Sequence, residues 1–94
     1  MRAGDTVKHL PSGETWVLST NPEQGYVTWY GWPPGDARES DCLLIEACTD
    51  DQHRKALEEW GGRWHGENGH VDRRHLIARE QLFELNQGFL GAYI

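Results

Sequence analysis

The chain has 94 residues, a formal net charge of −6 and a pI near 5.2. That length suits one domain and is too short for two, so every apolar element has to share one core, and the excess of acid disfavours general binding to a phosphate backbone. With 37% hydrophobic and 26% charged residues the composition lies between a rich globular core and a disordered chain, and five Trp tip it toward folded.

The opening "MRAGDTV" holds no apolar stretch of signal-peptide length. No later run reaches the roughly 18 residues of a membrane span, so a cytoplasmic protein without a membrane partner is expected. Thr6 to Leu10 has strand composition and ends at "PSGE", where Pro11 and Gly13 suit a tight turn. Thr15 to Thr20 follows as a second strand with Trp16 and Leu18 on one face and Val17 on the other, completing a hairpin. After "NPEQG", the run Tyr26 to Trp32 alternates Val27 and Trp29 with Tyr26, Thr28 and Tyr30, and Pro33-Pro34-Gly35-Asp36 must be a loop because two successive residues lack a ladder donor. The continuous run Cys42 to Ile45 reads as a strand covered on both sides. Four or five short strands at this spacing predict a small antiparallel barrel over residues 1–48.

The second part, residues 49–94, changes period. Thr49 and Gln52 have the form of a capping box, Asp50 and Asp51 favour the positive end of a helix, and His53, Ala56, Leu57 and Trp60 form one stripe before Gly61-Gly62 ends it. "GGRWHGENGH" reads as a mobile loop anchored by Trp64. A second helix is expected from the cap Asp72 to about Gln87, with His75, Ala78, Leu82 and Leu85 facing inward and Gly88 as a left-handed stop. The apolar ending "FLGAYI" predicts docking onto the fold or self-association through residues 83–94 as a homodimer.

The succession "GDTV", "SGETWVL", "WYGW" and "DCLLIE" resembles the small bacterial SH3-like barrel proteins over residues 4–46. The resemblance implies an SH3-like antiparallel barrel and says far more about fold than about function. The full expectation is an α+β domain, an SH3-like barrel followed by two C-terminal helices.

Chemistry is harder to find. Cys42, Cys48 and His53, with His65, His70 or His75, are the residue types of a zinc site, but Cys-x5-Cys-x4-His lacks the tightly spaced pairs of structural zinc. Free thiols and no metal are the expectation. No spacing selects an acid-base pair among Asp5, Asp36, Asp41 and the histidines, and no phosphate-cradling glycine loop occurs, so a non-enzyme without cofactors is expected. Strand alternation lets one aromatic segment feed both a core (Trp16, Trp29) and a surface (Tyr26, Tyr30, Trp32), and rings beside a Pro-Gly loop suit a peptide-binding groove. The candidate binding residues are Tyr26, Tyr30, Trp32, Arg38, Glu39, Asp41 and Trp64. Two alternatives stand beside this protein-binding module. In one, an accessory inhibitor of phage or mobile-element type sets Glu39, Asp41, Glu46, Asp50 and Asp51 against a basic channel of a nucleic-acid-handling host complex. In the other, the rings and Arg38, Arg63 or Arg73 capture a small nucleotide.

Overall fold

The computed structural model describes residues 1–31, 35–62 and 73–91, with side chains to Gln87. The order is β1 (Thr6–His9), β2 (Glu14–Val17), β3 (Tyr26–Val27), β4 (Ala37–Arg38), a 3-10 turn (Glu39–Asp41), β5 (Cys42–Glu46), α1 (Asp50–Gly62) and α2 (Arg73–Gly91). The architecture is α+β, with small antiparallel sheets and two helices. β2-β1-β5 form one sheet and β3-β4 another, and the two are not closed into a barrel. Between them the chain is irregular: Leu18 bridges to Trp29, and the amides of Ser19 and Tyr30 donate to the carbonyls of Thr28 and Val17. The expected third strand to Trp32 is therefore cut to two residues. The β1-β2 hairpin closes where predicted, the Gly13 amide reaching the His9 carbonyl at 2.7 Å with Gly13 at φ +73°, a conformation that favours glycine.

The buried residues fall into two clusters. Val7, Leu18, Val27 and Ala37 lie within the strands, flanked by Trp16, Trp29 and Cys42. Ala3, Ala56, Leu57 and Ala78 lie between the helices and the N-terminal segment, flanked by Tyr30, Trp60, Leu82 and Leu85. Ser19, Thr20 and Thr28 are also buried, their hydroxyls joined through Thr28 at 2.7 Å on each side. Both Val27 and Thr28 are thus interior, so the expected single face of Tyr26, Thr28 and Tyr30 does not form. The reason is the break in the ladder, which ends strict alternation after Val27.

The helices follow their sequence signals closely. Gln52 N–H donates to Thr49 Oγ1 at 3.1 Å and Thr49 N–H to Gln52 Oε1 at 2.9 Å, a complete capping box. His53, Ala56 and Leu57 are buried as expected, with Trp60 partly so. On α2, Ala78 is buried and Leu82 and Leu85 pack on the same cluster. The helix does not stop at Gly88 but runs to Gly91, since a glycine inside a final turn costs only about 1 kcal/mol and ends a helix only where φ turns positive. The Asp72 cap and the 63–70 loop lie outside the described residues.

An N-terminal clasp ties the halves together. Asp5, almost fully buried, accepts from the amides of Arg2 and Cys48, both at 2.8 Å, while Arg2 donates to the Cys48 carbonyl and to Asp50. Burial pushes the Asp5 carboxyl up, but the hydrogen bonds from Cys48 and Arg2 outweigh it and hold its pKa below the ordinary value. A depressed folded-state pKa contributes stability that is present above the unfolded value near 4 and lost as pH falls through the lower folded value. We therefore expect Asp5→Asn to cost roughly 2 kcal/mol at pH 7, by loss of hydrogen bonds to a charged acceptor, and to approach wild type below about pH 4. Urea midpoints from pH 7 to pH 2.5 measure this. An equal deficit across the range would mean that the charge contributes nothing.

Candidate functional site

The residues brought forward by the sequence do not converge on one face. Tyr26 is half-exposed on β3 opposite Arg38 and borders a depression of about 550 Å³ with Asp36, Arg73 and Leu76. Tyr30 lines a different groove of about 530 Å³, between the β2 and β5 ends and α1, together with Val17, Glu46, Cys48 and Glu59. Its phenol donates to Glu59 at 3.2 Å, and burial followed by the Glu59 charge pushes its pKa up to about 12. It is a neutral donor at physiological pH. Trp32 and Trp64 lie outside the described residues.

Trp16 and Trp29 are only partly buried rather than fully internal. They stack on each other at 4.2 Å, and His9 stacks on Trp16 at 4.3 Å, so three flat rings close the margin of the strand cluster. Trp16 Nε1 donates to Glu14. Gly35 returns against the Trp29 ring, where an added Cβ would stand 3.1 Å from the indole.

The thiols and histidines separate in the same way. Cys48 Sγ and His53 Nδ1 both approach the Ala3 carbonyl, at 3.4 and 2.9 Å. Cys42 opens β5 and Cys48 lies beyond its far end, so the three are not brought to one point. Among the described residues no group of three or more His, Cys, Asp or Glu is placed to hold a metal ion. Burial raises both thiols, helped at Cys42 by Asp41 and Glu39 and at Cys48 by Asp5, which leaves neither as a thiolate nucleophile at neutral pH.

What the sequence reading missed is β5. The run Cys42 to Ile45 was expected to be covered on both sides, yet Leu43, Leu44 and Ile45 are 56%, 44% and 53% exposed. β5 lies at an edge of its sheet and pairs only with β1, so nothing described covers its far side. Leu10 N–H donates to the Asp41 carbonyl, and the ladder then alternates, making Lys8 and Leu43 the next bonded pair. The N–H and C=O of Leu44 consequently point to the open side. The register shifts at Thr6/Val7, which leaves Ile45 as a bulge without a partner on β1.

Carboxylates bracket this strand. Glu39 and Asp41 occupy the turn before it, Glu46 is its last residue, and Asp50 and Asp51 open α1 beyond it, Asp50 being paired with Arg2 at 2.9 Å. The acids singled out from the sequence therefore stand in two groups at opposite ends of an apolar strand and not beside an aromatic loop. An exposed run of apolar residues on an unpaired edge was recoverable from "DCLLIE" only by knowing the strand order, because a continuous apolar run reads equally well as a covered strand.

Among the described residues no helix is long and apolar enough to cross a membrane. Comparison with protein-family models, with curated proteins and with solved structures gives no match for this chain.

Proposed function

We propose that the chain is a non-catalytic protein-interaction module on an SH3-like scaffold, and that its contact surface is the β5 edge. The observation that carries this reading is the triplet Leu43-Leu44-Ile45, about half exposed on an unpaired edge. Isolated edges of that kind recruit another strand unless they are blunted by charge, proline or cover, and here the charges stand at the ends and leave the centre open. What supports the scaffold reading is the spatial order β5-β1-β2, continued by the Leu18–Trp29 bridge toward β3-β4.

The experiment is a selection of displayed random peptides on the wild-type protein and, in parallel, on Leu43→Lys and Leu44→Lys variants whose circular dichroism matches wild type. Peptides enriched on wild type and lost on both variants are the expected result. Enrichment that survives both substitutions moves the contact to the tyrosine grooves instead.

A further inference from the structure

From the charge pattern around β5 we infer the chemistry of its partner: an extended segment with an apolar centre and a basic residue on each side, added as a further strand along β5. This rests on the β5 edge being the contact surface. Leu44 offers an outward N–H and C=O, the two groups that a new strand needs at its central bonded position. Leu43 and Leu44 stand on opposite faces of the sheet by strand alternation, so an added strand finds apolar contact on both of its faces.

The charges then select the sequence of the occupant. Asp41 and Glu46 flank the apolar triplet five positions apart, opposite Leu10 and Thr6 on β1, with Glu39 and Asp51 beyond them. Lys or Arg residues about five positions apart on the incoming strand fall opposite both ends. Lys8, the exposed base next to Leu43 on β1, lies beside the centre of the strand. Arg38 precedes Glu39 at one end, and at the other Lys55 shares a groove with Glu46 and Arg2 pairs with Asp50, so acids still outnumber bases at each end. The same pattern disfavours a second copy of this chain. Antiparallel pairing of β5 with itself about Leu44 sets Glu46 of one copy opposite Cys42 of the other, beside its Asp41, and repeats that like-charge approach at the far end.

The test uses two synthetic peptides titrated into ¹⁵N-labelled full-length protein. Both carry four alternating valines and threonines, one flanked by lysine at each end and the other by glutamate. The lysine-flanked peptide is expected to shift the amides of residues 43–46 and to bind at least about tenfold tighter than its glutamate twin, a margin that shrinks with added salt. An Asp41→Asn, Glu46→Gln double variant is expected to erase that margin. N-methylation of alternate amides in the lysine peptide is expected to abolish binding in one methylation register, as strand addition requires and loose charge attraction does not. Equal binding of the two peptides overturns the basic partner while leaving the β5 surface standing. Binding that leaves residues 43–46 unshifted, or the same shifts in concentrated protein without peptide, overturns strand addition by a foreign segment. The displayed-peptide selection independently decides whether β5 is a contact surface at all.

Discussion

Gly61→Ala is expected to lower the stability of the protein by about 2–3 kcal/mol, even though alanine is the better helix former by about 1 kcal/mol. A Cβ at Gly61 would stand 2.6 Å from the Arg79 nitrogen, 2.7 Å from its Cα and 2.8 Å from the Ala78 carbonyl carbon. These are backbone atoms of α2, so no side chain can swing aside and the helices have to part. Parting them loosens the contacts of Ala56, Leu57 and Ala78. For a chain of this size the loss corresponds to a fall in Tm of roughly 10–20 °C. The neighbouring glycine supplies the control. Nothing lies within 4 Å of a Cβ built on Gly62, so Gly62→Ala is expected to raise Tm slightly, and thermal unfolding of the pair should move in opposite directions. Equal shifts would mean that the helix crossing is not as close as described.

The second large effect is expected at Arg74, which is 3% exposed. Its guanidinium donates to the carbonyls of Trp29 at 2.7 Å and Gly31 at 2.5 Å and lies 4.1 Å over the Trp60 ring. Nη1 serves both carbonyls while the flat guanidinium lies over the indole, and a lysine ammonium could reach a carbonyl but could not stack in that way. Arg74→Met keeps much of the volume but strips two partly buried acceptors of their donor, a loss of about 3 kcal/mol. Arg74→Lys is expected to recover no more than about half of that. Denaturant midpoints measure the stabilities, and faster amide exchange at Tyr30 in both variants would locate the loss in the segment that leads to the Pro-Pro loop. A lysine variant as stable as wild type would reduce the role of Arg74 to its charge.

The helices were legible because their signals are local. Thr49 and Gln52 find each other within one turn, and His53, Ala56 and Leu57 declare their face by spacing alone. Arg74 gave no such signal: it sits next to Arg73, which pairs with Asp36 at the surface, and nothing in "DRRH" says which of the two turns inward. The choice is made by carbonyls more than forty positions earlier in the chain. The aromatic run was half legible. Val27 and Trp29 do belong to one cluster, but a bond from Tyr30 to Val17 and a glycine at φ +104° at position 31 send Tyr30 to a groove away from Tyr26. The β5 surface was hidden for a different reason, since exposure of a strand depends on its place in the sheet, and sheet order is set by pairings that no short motif encodes.

The Asn21–Gln81 pairing has a consequence for the order in which the chain is made. Gln81 accepts from the Asn21 amide and donates to the Asn21 carbonyl, across 60 positions of sequence. A ribosome delivers the five strands well before α2 exists, so during synthesis the backbone at Asn21, Trp29 and Gly31 must borrow its hydrogen bonds from water. The backbone at these positions therefore gains its protein partners last, after every described strand has been made, and the final ordering of the segment between Asn21 and Gly31 waits on the arrival of α2.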